Sequence, residues 1–157
     1  MHKKIIMQRK ILALVQVSLL VITRFWLPFS VQASSEGEVD VVVSRSNGAG
    51  TLSLDDVQKI FRCEKSVWPS GKRIAILMLA PGQPERSVIL REIYKMSEPG
   101  YSKYFLEAIF TGRLSAPPKE VNSPAQMKQY LSSNPWAVGY LKKQDVDDTV
   151  KVVFRVP

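Results

Sequence analysis

Histidine, cysteine and N-terminal acidic residues are scarce in this chain of 157 residues. It has one cysteine, Cys63, and one histidine, His2, and all of its 14 acidic residues lie beyond position 33. One cysteine excludes a disulfide within the chain. Beyond position 33 there is no histidine, which excludes histidine general bases, Cys/His nucleophile pairs and the common zinc sites there. We therefore predict no metal, no cofactor and no catalytic residue.

The N-terminal segment has the order of a secretory signal peptide. Basic residues within the first ten positions precede an apolar run over residues 11–22, and Val31-Gln32-Ala33 is a small-residue cleavage site. We expect a signal peptide over residues 1–33 and a periplasmic or secreted product. An uncleaved membrane anchor is the alternative. Arg24 argues against it, because it leaves a run shorter than the roughly 20 residues that span a bilayer.

Loss of residues 1–33 would change the charge of the chain. Five of the 22 basic residues lie before Ser34, so 17 basic residues remain against 14 acidic ones and the net charge falls from +8 to +3. The remaining basic residues are scattered, with Lys72-Arg73 and Lys142-Lys143 as the adjacent pairs. This pattern is typical of a solvated surface. We predict no nucleic-acid partner, and contact with a membrane only through export or a permease.

Residues 34–157 are enough for one domain with a hydrophobic core. The run over residues 74–80 is apolar without alternation, as expected for a strand covered on both faces. Residues 150–156 alternate between apolar and polar, which predicts a strand near the edge of a sheet. Two further strands are predicted at residues 39–43 and 137–141.

Helices are predicted between these strands. Ser53 and Asp56 predict a capping box at the start of the first helix. A second helix is expected over residues 85–95 and ends at Glu98-Pro99-Gly100. A third stops at Gly112, and a fourth begins at Ser123-Pro124. Strands separated by helices predict an α/β domain with a mostly parallel sheet and helices on its faces.

Three motifs in this order resemble the periplasmic phosphate-binding proteins of ABC transporters, which belong to the type 2 periplasmic binding protein superfamily. They are Leu52-Ser53-Leu54-Asp55-Asp56-Val57-Gln58-Lys59-Ile60-Phe61, Trp68-Pro69-Ser70-Gly71-Lys72 and Ala137-Val138-Gly139-Tyr140. The length is similar to that of short, single-lobe members. The resemblance implies a periplasmic-binding-protein-like lobe, phosphate or another small oxyanion as ligand, and an ABC permease as partner.

Two places offer groups that hold an oxyanion without a metal, namely backbone N–H groups, hydroxyls and arginine. The first is the loop after the first strand, with Ser44, Ser46 and Asn47. The second is the start of the second helix, with Arg86 and Ser87. In full-length relatives this element carries an arginine and a Ser-Gly-Thr run, and the run is absent here. An ordinary turn and an ordinary surface charge are the alternatives for the two places.

Two functions stay open from the sequence. One is an oxyanion-binding module for ABC-type uptake. The other is an envelope interaction protein derived from a binding lobe, whose exposed strand edge accepts a partner or a second copy and so forms a homodimer. Carboxylates at Asp55-Asp56 and at residues 145–148 lie at a helix start and in a turn, so an enzyme is not predicted.

Overall fold

The computed structural model describes residues 38–157. The predicted signal peptide and its cleavage site lie outside the described residues. Strands and helices follow one another along the chain. They are β1 (Val39–Ser44), α1 (Leu54–Phe61), β2 (Ala75–Leu79), α2 (Pro84–Ile89), a π turn (Leu90–Tyr94), α3 (Glu98–Phe110), β3 (Lys119–Val121), α4 (Pro124–Ser133), β4 (Ala137–Lys142), a 3-10 turn (Lys143–Asp145) and β5 (Val150–Arg155).

The five strands form one sheet in the order β3-β2-β4-β1-β5. β2 pairs in parallel with β3 and β4, whereas β1 pairs antiparallel with both β4 and β5. The predicted α/β lobe is confirmed, and the mostly parallel sheet is matched only in part, because two of the four pairings are antiparallel. Four strands share one direction. The reversed strand β1 fills the place between β4 and β5, which are joined by residues 143–149 without an α-helix.

Helices cover both faces of the sheet. α1 and the π turn pack on one face, where Phe61 contacts Tyr140 and the Tyr94 hydroxyl lies 3.9 Å from the Met78 sulfur. α4 packs on the other face over Gly139. A Cβ at Gly139 would lie 2.7 Å from the Met127 sulfur, so only glycine allows α4 to approach the sheet this closely.

Sequence signals for the helix starts are confirmed at Ser53 and Ser123. Ser53 Oγ accepts a hydrogen bond from the Asp56 amide, and Ser123 Oγ accepts one from the Gln126 amide. Glu98-Pro99-Gly100 does not end a helix as predicted. It begins α3, with Ser97 as the cap, because proline in the first helical turn needs no N–H partner. The preceding helix ends instead at Lys95, which has a left-handed φ of 55°.

The two edge strands differ in how well the sequence signals them. β5 lies at the edge as predicted, but a bulge at Val153 interrupts its alternation, since Val41 faces Phe154 and Val42 faces Val152. β3 is a strand that the sequence does not predict. It has three residues, two of them exposed, and so lacks a run of apolar side chains.

No helix within residues 38–157 is both long and apolar enough to cross a bilayer. In the same part of the chain, no group of three or more His, Cys, Asp or Glu side chains is arranged to hold a metal ion.

Tyr94 links three helical segments in the core. Its ring packs edge-on against Phe61 and Tyr101, at centroid distances of 5.9 and 5.0 Å, and its hydroxyl donates to the Phe61 carbonyl at 2.8 Å. Burial raises the pKa of Tyr94 well above its usual value of 10.0. At a pH where Tyr94 of the unfolded chain is already ionised, its hydroxyl therefore stays protonated in the folded state.

We expect the free energy of unfolding to fall as the pH rises above about 10, because the unfolded state then releases a proton that folded Tyr94 retains. Tyr94→Phe should cost about 1 kcal/mol at neutral pH through the lost hydrogen bond. The same substitution should also reduce the alkaline decline in the free energy of unfolding, by up to about 1.4 kcal/mol per pH unit. Urea unfolding between neutral and alkaline pH measures both effects. Tyr130→Phe, at a half-exposed tyrosine, is the control, and an unchanged alkaline slope in Tyr94→Phe would contradict the assignment.

Candidate functional site

The two predicted ligand places lie at opposite edges of the sheet. Because β2, β3, β4 and β5 share a direction, the sheet has an amino edge, where they begin, and a carboxyl edge, where they end. β1 is reversed, so Ser44 lies at the amino edge opposite Val150. Arg86 and Ser87 follow the end of β2 at the carboxyl edge. The five residues of β2 separate the edges by about 16 Å, so the two places do not form one site.

The loop at the amino edge is held by hydrogen bonds within the protein. Asn47 is 4% exposed; its Nδ2 donates to the Pro135 carbonyl at 2.6 Å and its Oδ1 accepts from the Ala49 amide at 2.7 Å. Ser44 is also buried, with its hydroxyl 3.0 Å from that of Ser46. Asn47 therefore fixes the loop to the start of β4. Ser46 is the predicted residue here with an exposed side chain.

Arg86 is 2% exposed, and each nitrogen of its guanidinium donates a hydrogen bond within the protein. Nε and Nη2 donate to the Glu98 carboxylate at 2.9 and 2.6 Å, and Nη1 donates to the Leu79 carbonyl at 2.6 Å and to Glu120 at 3.1 Å. The guanidinium also lies 4.9 Å from the centre of the Tyr101 ring. Arg86 thus joins α2, α3, β2 and β3, and it is not free to bind an anion.

Arg86 stays positively charged although it is buried. Removal from water opposes the charge, but the hydrogen bonds and negative charge of Glu98 outweigh it and raise the pKa of Arg86. The neighbouring Ser87 side chain is exposed. Of the two residues at the second predicted place, only Ser87 therefore has its side chain exposed to solvent.

The carboxyl edge carries further acidic groups. Glu85 is 3% exposed, and one of its oxygens lies 3.3 Å from Lys142 Nζ, while the other has no hydrogen-bond partner within residues 38–157. Asp40 lies at the same edge. Burial raises its pKa, and this effect is larger than the lowering by the positive charges of Arg155 and Lys143. Acidic side chains this close to the end of β2 disfavour an anion at this edge.

A cavity of about 300 Å³ lies between α3 and β3. The ion cluster of Arg86, Glu98 and Glu120 forms one side of it, and the rest of its lining is mostly apolar. Two apolar residues on α3 are exposed, Leu106 by 69% and Phe110 by 91%. This α3-β3 groove is a mainly apolar surface, which suits a protein contact better than an oxyanion.

The five strands with helices on both faces have the fold of about half of larger solved proteins. No protein-family model matches the chain, and no curated protein is similar to it in sequence. Solved structures with a similar fold include an ABC-type phosphate transport receptor from Vibrio cholerae, with a TM-score of 0.60 and 19% identity over 74% of this chain. At this identity the similarity shows the fold alone.

Two further solved structures are similar. A putative phosphate ABC transporter substrate-binding protein with bound phosphate from Clostridium perfringens has a TM-score of 0.61 and 16% identity over 74% of this chain. PstS from Borrelia burgdorferi has a TM-score of 0.55 and 14% identity over 75%. The matched region covers 45%, 44% and 47% of the three structures, so this chain spans less than half of their length.

Arg86→Met should destabilise the fold by about 3 kcal/mol, because it leaves Glu98, Glu120 and the Leu79 carbonyl without their shared donor. Urea unfolding monitored by circular dichroism measures the loss. Arg45→Met is the matched control, since Arg45 is exposed and its loss should change stability by less than about 0.5 kcal/mol. A loss below about 1 kcal/mol in Arg86→Met would show that the cluster acts like an exposed ion pair.

Proposed function

We propose that this chain is an exported, substrate-binding-protein-like module that binds phosphate or another small oxyanion and works with an ABC permease. The observation that carries the proposal is the similarity of fold to phosphate-binding proteins over three quarters of the chain, including one with bound phosphate. Those proteins serve transport, and the histidine-free domain beyond position 33 offers little acid–base chemistry. A binding role therefore fits this chain better than catalysis.

Residues 38–157 form one lobe, so an anion bound to them lies at an open surface. Of the predicted ligand residues, we propose direct contact for the exposed hydroxyl of Ser46 at the amino edge, because the acidic groups at the carboxyl edge disfavour an anion beside Ser87. Ser44 and Asn47 hold the loop around Ser46 in place. Arg86 positions the helix start that carries Ser87, and it would reach an anion only by releasing Glu98 or Glu120.

Phosphate should raise the thermal stability of the purified protein. At a phosphate concentration one hundred times the dissociation constant, the gain is about 2.7 kcal/mol. This corresponds to roughly 10 °C in Tm for a domain of this size. Melts in phosphate, in sulfate and in chloride at equal ionic strength measure the gain and separate it from salt effects. Coincident curves in all three would rule out the proposed ligand class.

A second candidate function is an interaction protein, and the α3-β3 groove is the observation that favours it. We assign the groove to a second copy of this chain. Phe110 projects from the same helix that forms one wall of the groove, so a two-fold axis beside α3 would place each Phe110 in the partner's groove. The groove volume of about 300 Å³ is ample, since an engineered cavity of about 150 Å³ holds benzene.

Phe110→Ser should convert a dimer into a monomer. Sedimentation equilibrium of the wild-type protein should give twice the mass of the chain, and the variant should give the mass of one chain because its contact area is mostly lost. Leu54→Ser is the matched control, since Leu54 is also exposed but lies on α1. A wild-type protein that stays monomeric at high concentration would exclude this function.

A further inference from the structure

The amino edge contains a second cavity, of about 290 Å³, which the sequence does not reveal. We call it the basic pocket. Its lining combines three basic side chains with two hydroxyls and a thiol over an apolar floor. The lining residues are Cys63, Lys65, Ser66, Arg73, Ile74, Ile76, Arg113, Leu114 and Ser115. None of them is acidic.

Three separate segments build the basic pocket. After α1 the chain turns back at Cys63, which has a left-handed φ of 60°, and the Lys65 amide donates to the Lys59 carbonyl at 3.0 Å. The Ile74 amide then donates to the Ser66 carbonyl at 2.9 Å, which fixes this turn beside the start of β2.

The third segment follows α3. There the Leu114 amide donates to the Ala108 carbonyl at 3.0 Å, and the Leu114 side chain packs against the core. This anchor holds the flanking Arg113 and Ser115 at the pocket.

The positive charge of the pocket is only partly neutralised. Lys65 pairs with Asp56 at 2.8 Å, and hydrogen bonds from Lys65 and Ser53 lower the pKa of Asp56 to about 2. Neither Arg73 nor Arg113 forms a salt bridge within residues 38–157. The Arg113 guanidinium lies 5.1 Å from the centre of the Tyr104 ring, a cation–π contact.

The Cys63 thiol does not offset this charge. Burial raises its pKa to about 11, so the thiol is neutral at physiological pH. Arg73 and Arg113, which have no carboxylate partner within residues 38–157, therefore line one cavity together with Ser66 and Ser115.

We infer that the basic pocket binds an oxyanion of the phosphate class with two negative charges. Arginine matches phosphate oxygens with paired N–H donors, and the serine hydroxyls supply further donors. The volume equals that of roughly ten water molecules in the liquid, which leaves room for a small apolar group bonded to the phosphate. Ile74 and Leu114 would contact that group. This inference rests on the proposed function for its ligand class, and it places the anion away from Ser46 and Ser87.

The test measures binding of inorganic phosphate and of phenyl phosphate to the full protein by calorimetry, with chloride at equal ionic strength as reference. Arg73→Gln combined with Arg113→Gln should raise the Kd roughly tenfold or more, because hydrogen bonds to charged groups are lost. Arg45→Gln is the matched control, an exposed arginine at the same edge beside Ser46, and it should leave the Kd unchanged. Melting in chloride checks that each variant is folded.

The outcomes separate the two proposals. Binding of either probe that depends on Arg73 and Arg113 supports the basic pocket. Phosphate binding that survives their loss but is weakened by Ser46→Ala overturns the pocket and leaves the proposed function standing. Binding of phenyl phosphate alone through the pocket supports the pocket and counts against phosphate as the transported ligand. If neither probe binds, the pocket proposal fails, whereas the proposed function fails only if the melts in sulfate also show no gain.

Discussion

The buried guanidinium of Arg86 is the constraint on which the arrangement around the carboxyl edge depends. Transfer of a charged group into the protein costs several kcal/mol, and the cost is offset only when every N–H has a partner. Glu98 comes from α3, Glu120 from β3 and the Leu79 carbonyl from β2. One side chain from α2 therefore links a short edge strand and a helix start to the sheet.

The same requirement explains why the sequence does not reveal the buried ion cluster of Arg86. A lone arginine at a helix start is typical of a ligand residue or of a solvated charge, and its partners lie 12 and 34 positions further along the chain. Neither Glu98 nor Glu120 carries a local pattern that marks it as a partner. β3 is missed for a related reason, since it is held by pairing with β2 and by Glu120, and Val121 is its single buried apolar side chain.

Features that depend on neighbouring residues were predicted well. The caps at Ser53 and Ser123 and the buried run of β2 follow from side chains a few positions apart. The direction of β1 could not be predicted, because its apolar side chains fit a strand of either direction and both of its pairing partners lie at the far end of the chain. The reversed direction of β1 separates the predicted ligand residues, because it places Ser44 and Asn47 at the amino edge. The basic pocket was not predicted, because each of its three segments resembles an ordinary charged surface.

The reversed strand also determines when the domain is able to fold. β1 is the first strand within residues 38–157, yet it lies inside the sheet, and Val39 pairs with Lys142 while Ser44 pairs with Val150. About a hundred residues separate these partners, so the loop that joins them must close before the inner part of the sheet exists, and folding is slow for such distant contacts. A nascent chain that has not yet reached β4 and β5 has no neighbour for β1. β1 then stays unpaired until β4 has been made, and the sheet formed by residues 38–157 is complete only after β5.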